Sequence, residues 1–302
     1  LRKRVLLTGA GGFVGHHTLE HLLVNTDWDI VCTDSFRHMG KTDRIREVLE
    51  GQPASVKGDR VSVLTHDLRV PITPQFSHAM GHIDYVISMA SESHVDRSCV
   101  EPRPFIENNV ALVLTLLEYA RESGVEKFLQ VSTDEVYGPA PIGHNHREGE
   151  PHRPSNPYSA SKAAQEDIVY SYWRTFGLPL AVSNTMNIIG ERQDPEKFVP
   201  MVIKRVNEGT PVQIHSEAVT GRPGSRFYLH ARNQADALLF LLENIDFPKY
   251  GEIVANTENI EVVSDMARFN VVGEREVDNL EMAEMIAASA GKKLEFELVD
   301  FH

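Results

Sequence analysis

Tyr158 and Lys162 stand four residues apart in the segment NPYSASK, a spacing that puts both side chains on one face of a helix. An ammonium beside a phenol stabilises the phenolate and lowers its pKa toward neutrality, which would make the pair a general base. A surface Tyr and Lys one turn apart is also common, so the chemistry needs further parts. Thr133, Asp134 and Glu135 supply candidates, because they open an acidic turn directly after the apolar run 128–132. Thr133 can hydrogen-bond a substrate hydroxyl. Two neighbouring carboxylates that repel each other and differ in solvation can divide into an acid and a base. An acidic turn after a strand is otherwise a solvated loop.

A third motif, TGAGGFVG, places Gly9, Gly12 and Gly15 after the first apolar run and at the start of a helix. Gly9 suits a tight turn, Gly12 lets backbone amides approach a pyrophosphate, and Gly15 lets helix and strand pack closely. The helix N-terminus adds partial positive charge. Asp34 ends the second apolar run, where its carboxylate can accept from ribose hydroxyls and repel a 2′-phosphate. Together these predict a dinucleotide site that prefers NAD to NADP, with Arg37 tempering the preference.

The elements that must position these residues are legible as alternation. Short apolar runs at 5–8, 30–33, 62–65, 85–89, 128–132 and 180–184 read as strands covered on both faces. Helices are predicted at 15–24, 105–123 and 158–176, with Gly124 and Gly177 at their C-caps. The fold class predicted is α/β: a Rossmann-type doubly wound parallel sheet over residues 1–186, with a smaller C-terminal substrate lobe over 187–302 from which segments can return to the first domain. In that lobe a helix is expected at 234–243, and another is capped by Asp278 with Glu281 completing a capping box.

Composition narrows the partners. The net charge of −13 and the lack of a basic patch argue against nucleic acid. The longest apolar run, 111–120, is interrupted by Glu118, so no membrane association is expected. Cys32 reads as a buried inert thiol, and the two cysteines neither form a disulfide framework nor show metal-ligand spacing. The histidines show none either, so no metal is expected, and the cytoplasm is the default compartment. The chain starts without Met and stops at Phe301-His302, so further terminal residues are expected.

These pieces resemble the extended short-chain dehydrogenase/reductases, and among them the nucleotide-sugar 4,6-dehydratases. The likeness runs from residue 4 to about residue 242, resumes near 270, and rests on TGAGGFVG, ASESHVDRS (90–98), FIENNV (105–110), STDEVYG (132–138), NPYSASKAA (156–164) and PEKFVP (195–200). It implies an NAD-dependent lyase that makes a 4-keto-6-deoxy nucleotide sugar. Tyr158 would take the 4-hydroxyl proton with Thr133 orienting that hydroxyl, Glu135 the carbon-5 proton, and Asp134 would protonate the leaving 6-hydroxyl. The resemblance further implies cofactor contacts from Phe13, Ser35, Asp67, Leu68, Met89, Ala90, Ser91, Ser93 and Asn108, besides Tyr158, Lys162, Asp34 and the glycines. Substrate contacts would come from Ser93, Thr133, Asn187, Lys197, Arg226 and Asn270, with Asn187 and Arg226 on the diphosphate of a nucleotide-diphosphate hexose. His94 is expected to order the cofactor loop. A homodimer would pair 105–123 with 158–176. The residues depart from the family most at 187–190, at 226–233, in the Pro- and Gly-rich stretch 216–225, and at 256–268, which reads as an insertion. A 4-epimerase or decarboxylase on the same fold would not need Asp134 and Glu135; a non-catalytic NAD sensor would need none of the four reactive side chains.

Overall fold

The computed structural model describes residues 2–141, 143–217, 220–247 and 265–300. In chain order the first elements are β1 (Arg4–Thr8), α1 (Phe13–Asn25), β2 (Asp29–Asp34), α2 (Thr42–Gly51), α3 (Ala54–Lys57) and β3 (Val61–Thr65). Next come α4 (Pro74–Met80), β4 (Tyr85–Ser88), α5 (Val95–Val100), α6 (Pro102–Ser123), β5 (Lys127–Thr133), α7 (Pro157–Phe176) and β6 (Leu180–Thr185). The rest are β7 (Ile188–Ile189), α8 (Phe198–Glu208), β8 (Val212–Ser216), β9 (Ser225–Arg226), β10 (Leu229–His230), α9 (Ala231–Asn244), β11 (Ala267–Val271), β12 (Val277–Asp278), α10 (Asn279–Ser289) and β13 (Phe296–Asp300).

These residues form two compact units. The first is built from the described parts of Leu1–Thr185 and Arg232–Val271, the second from those of Met186–Ala231 and Val272–His302. The first unit holds a seven-stranded sheet in the order β11-β6-β5-β4-β1-β2-β3, parallel throughout. Side chains alternate across it with the period of two that a strand imposes. Val5 and Leu7 belong to the layer containing Leu19, Leu22 and Leu23 of α1 and Leu238 and Leu242 of α9. Leu6 belongs to the opposite layer, with Leu112, Val113, Leu116 and Leu117 of α6 and Val169 of α7. Each such leucine, taken wholly from water, contributes about 1.5–3 kcal/mol. Cys32 lies in the first layer, and burial pushes its thiol up to about 12, so it is an inert packing group.

Gly124 and Gly177 end α6 and α7 in the left-handed conformation, at φ 67° and 63°. Asn156 begins α7 with a reciprocal capping box: its side chain accepts from the Ser159 amide, and the Ser159 hydroxyl accepts from the Asn156 amide.

Two expectations are corrected. Ala267 and Arg268, expected within an insertion, stand in parallel register with Ala181 and Val182 and supply the seventh strand. Polar Arg268 and Asn270 hid its strand character. The rest of that stretch, 256–264, lies outside the described residues, as do Ala218 and Val219 of 216–225. The capping box of α10 is half formed. Asp278 accepts from the Glu281 amide at 2.8 Å, but the Glu281 carboxylate pairs instead with Arg275 at 2.8 Å.

The second unit packs Val202 and Val206 of α8, Val212 and Ile214 of β8, and Ala283 and Ala287 of α10 into its own core. Three two-stranded pairings support it: β8 with β13, β7 with β10, and β9 with β12. Among the described residues no helix is long and apolar enough to cross a membrane.

Candidate active site

In the first unit's sheet, β1 lies between β2 and β4, so the connections leave in opposite directions and open a crevice at the carboxyl ends of those strands. The glycine turn lines it. Gly9 has φ 70°, and a Cβ there would sit 3.0 Å from the Ala90 backbone. A Cβ on Gly15 would stand 2.0 Å from the Gly9 carbonyl, so only glycine lets α1 start so close to β1. Gly12 caps α1 without a side-chain hydrogen bond, so first-turn amides such as that of Phe13 are not taken up by a capping side chain and could meet an anion. A tight cradle with uncapped amides fits the pyrophosphate of a dinucleotide.

Asp34 ends β2 and is held from both sides: Oδ2 accepts from the Gly11 amide at 3.0 Å and Oδ1 from the Phe36 amide at 2.9 Å. Beside it, the Ser35 hydroxyl accepts from the Arg37 amide at 3.4 Å. The Arg37 guanidinium reaches Asp67 at 2.5 Å and Asn108 at 3.3 Å, and Arg69 also pairs with Asp67 at 2.8 Å. Arg37 is thus engaged by a carboxylate and an amide, which weakens it as a receptor for a 2′-phosphate. Leu68 next to this group is buried.

After β4, the amides of Met89 and Ala90 both donate to the Thr8 hydroxyl, at 3.1 and 3.2 Å. This stitches the segment 89–93 to the end of β1. The Ser91 hydroxyl turns to the Glu92 carbonyl, and Ser93 is exposed. His94 accepts from the Arg97 amide as the N-cap of α5.

Thr133 closes β5, and Asp134 and Glu135 follow in a single 3-10 turn. The Thr133 hydroxyl donates to Asp134 Oδ1 at 3.2 Å and acts on the Tyr158 phenol to lower its pKa. The Glu135 carboxylate accepts from Asn156 Nδ2 at 3.0 Å. Here the electrostatics differ from expectation. The phenol of Tyr158 is raised above its usual value, first by burial and then by the Glu135 and Asp134 charges. Lys162 does not offset them, because its ammonium is turned to the Val131 carbonyl (2.8 Å) and Gln165 Oε1 (2.6 Å). Burial lowers the Lys162 pKa to about 8, against the pull of Glu166. Tyr158 and Lys162 do share one face of α7, but their proximity alone does not favour the phenolate.

Asn187, Lys197 and Arg226 belong to the second unit. The Asn187 carbonyl accepts from the Leu229 amide at 3.0 Å, Lys197 occupies the N-cap position of α8, and exposed Arg226 reaches the Ser225 carbonyl at 2.7 Å. Asn270 stands in β11 of the first unit with both ends of its amide engaged: Oδ1 by the Tyr137 hydroxyl at 3.0 Å and Nδ2 by the His146 carbonyl at 3.1 Å.

Several residues that organise this site were not singled out in the sequence. Asn109, fully buried, accepts from the Glu92 amide and donates to the Glu92 carbonyl and the Ser161 hydroxyl. Its signal was available, since a polar residue sat on the stripe shared by Leu112, Val113 and Leu116. Glu166 is also fully buried. It accepts from the Ser132 hydroxyl and from Asn184 Nδ2, and it faces His152 at 3.2 Å. That contact raises the His152 pKa, and Arg268 stands 3.7 Å away on the same oxygen. Only the tertiary fold brings those five segments together.

The sheet, the glycine cradle and the acidic end of β2 define a nicotinamide-dinucleotide-binding protein of Rossmann type. The chain belongs to the NAD dependent epimerase/dehydratase family, whose profile it matches over residues 5–255, and NAD is its cofactor. It is an extended short-chain dehydrogenase/reductase. It is 32% identical over 289 residues to the low-salt glycan biosynthesis protein Agl12 of Haloferax volcanii, covering 95% of this chain and 82% of that one. It is 32% identical over 253 residues to a dTDP-glucose 4,6-dehydratase of Escherichia coli, covering 78% and 67%. The solved UDP-glucose 4-epimerase of Thermus thermophilus, a complex with NAD, superposes with a TM-score of 0.80 at 28% identity, over 98% of this chain and 86% of that one. The chain is therefore similar both to dehydratases and to epimerases.

Proposed function

We propose that the protein is an NAD-dependent nucleotide-sugar 4,6-dehydratase, a hydro-lyase that yields a 4-keto-6-deoxy sugar. The observation that carries this reading is the cluster at the end of β5, where Thr133 donates to Asp134, Asn156 donates to Glu135, and all three residues of the turn act on the Tyr158 phenol. Redox exchange at one carbon needs a single base, whereas eliminating water needs an acid and a base beside the oxidised carbon.

The turn of Gly9, Gly12 and Gly15, Asp34 and the segment 89–93 would hold NAD, which would accept the hydride of carbon 4 and give it back at carbon 6. Thr133 orients the sugar 4-hydroxyl and Tyr158 takes its proton. The 4-ketone acidifies carbon 5, and Glu135, steadied by Asn156, removes that proton. Asp134 gives a proton to the departing 6-hydroxyl, which leaves as water. The ketone is then conjugated with a carbon-5/carbon-6 double bond, and with the hydride restored at carbon 6 the saturation of that bond would take a proton at carbon 5. Asn187 and Arg226 serve the substrate diphosphate, where a guanidinium suits phosphate oxygens. Lys197 and Asn270 take the substrate side, and Asp67, Leu68 and Asn108 the cofactor's adenosine end.

A panel of dTDP-, UDP-, GDP- and CDP-hexoses tests the proposal. A product with the alkali-induced ultraviolet chromophore of a 4-keto sugar is expected from at least one; none from any, by protein that binds NAD, refutes it. We also place the protein in a homodimer through α6 and α7. Leu112, Val113, Leu116 and Leu117 are buried within the chain, but Ile106 and Leu114 keep 37% and 43% exposure along one helix side. Sedimentation should find two chains per particle, and a monomer at working concentration would remove this part.

A further inference from the structure

The segment 143–150, between the acidic turn and α7, carries two histidines and a glutamate that the proposed reaction does not use. His144 Nε2 and His146 Nδ1 converge on one oxygen, Glu150 Oε2, at 3.1 and 2.7 Å. One donor atom from each residue lies within 4.8 Å of the other two. With zinc bonds of about 2.0–2.1 Å, the donors of a tetrahedral site stand ~3.3 Å apart. The observed separations need to change by no more than about 1.5 Å to match that edge.

The surroundings hold these donors in place. The His146 ring is stacked on Tyr137 at 5.2 Å and 22°, and its carbonyl is fixed by Asn270. Its Nε2 is buried with no hydrogen-bond partner among the described residues, so that side of the ring is not committed to a structural bond. Glu150 Oε1 accepts from the Arg147 amide at 2.9 Å, which leaves Oε2 for the imidazoles. Such outer contacts orient metal ligands. The three side chains line one surface hollow, so a cation can reach them from solvent.

We propose that His144, His146 and Glu150 form a binding site for a divalent transition-metal cation. Two imidazoles and one carboxylate suit zinc, nickel or copper better than calcium or magnesium, which prefer all-oxygen sets. Three protein ligands leave a fourth position for water or an incoming group. The sequence offered no recognised spacing for this, because one ligand pair is separated by a single residue and the third follows four later. The bound cation ties together the segment that leads to Asn156 and Glu135. Along that segment the Arg153 amide is anchored on the Val136 carbonyl at 2.8 Å. The proposal stands independently of which sugar reaction the enzyme performs.

The test uses the full chain without an affinity tag, stripped by a chelator, then titrated with Zn2+ alone by calorimetry and with Co2+ alone by visible absorbance. One equivalent should bind with the visible bands of low-coordinate Co2+. The His144→Ala/His146→Ala variant should bind at least tenfold more weakly, and Glu150→Gln should weaken binding as well. His144→Ala alone, at a half-exposed position, guards against misfolding of the double variant, and circular dichroism checks each protein. Unchanged Zn2+ affinity in folded variants, or no stoichiometric binding by the parent chain, overturns the proposal.

Discussion

Asn156 Nδ2 donates to Glu135 Oε2 at 3.0 Å while Asn156 Oδ1 accepts from the Ser159 amide at 2.8 Å. One side chain therefore caps α7, which carries Tyr158 and Lys162, and also steadies the carboxylate assigned to carbon 5. Asn156→Ser keeps a capping oxygen but loses the donor to Glu135. Its melting temperature should stay close to that of the parent, while turnover falls about tenfold, the loss expected for a hydrogen bond to a charged group. Asn156→Ala should lose the same activity and, in addition, about 1 kcal/mol of stability measured by urea unfolding. Full turnover in Asn156→Ser would remove Asn156 from this role.

The phenol of Tyr158 is raised by burial and by the charges of Glu135 and Asp134. Removing one of those charges favours the phenolate, so its pKa must fall. Glu135→Gln should therefore shift the pH profile of cofactor reduction toward lower pH, even as elimination stalls and the near-ultraviolet absorbance of reduced nicotinamide persists. Tyr158→Phe should reduce cofactor ~100-fold or more slowly at every pH. A profile unmoved by Glu135→Gln would show that the carboxylate does not act on the phenol.

Gly15 and Gly51 give opposite expectations for the same substitution. Gly15→Ala drives a Cβ to 2.0 Å from the Gly9 carbonyl. It should destabilise the fold by about 1–3 kcal/mol and weaken NAD binding, read by urea unfolding and cofactor titration. Gly51→Ala meets nothing within 4 Å at the end of α2 and should stabilise by about 0.4–1 kcal/mol.

Lys162 predicts a pH-dependent difference in stability. Its pKa is about 8 in the folded chain against an ordinary value of 10.5, so between those values the unfolded chain binds more protons. Stability relative to Lys162→Met must therefore rise as pH climbs from 8 toward 10.5, by about 3 kcal/mol in total. Paired urea unfolding at several pH values reads the difference; a gap that stays flat contradicts a buried, depressed ammonium.

The first six strands and the helices α1, α6 and α7 were legible, because most of those strands read as apolar runs and Gly124 and Gly177 mark the ends of α6 and α7, whereas α2 to α5 carried no such signal. β11 was not, since Arg268 and Asn270 interrupt its apolar character and its partner β6 lies far back in the chain. In the site, the glycine turn and Asp34 were readable because their chemistry is local. Lys162 was placed on the right face of its helix, yet the fate of its ammonium depended on the Val131 carbonyl, which only the sheet brings near. The cluster of Glu166, His152, Arg268 and Ser132 was invisible for the same reason.

The proposed reaction turns on elimination across carbons 5 and 6, with Glu135 as base and Asp134 as acid. Turnover in deuterated water, followed by proton NMR of the product, tests it most directly. A 4-keto-6-deoxy sugar with one solvent deuterium at carbon 5 and loss of one water is expected. A sugar that is merely inverted at carbon 4, with no water lost and no solvent deuterium at carbon 5, would contradict it.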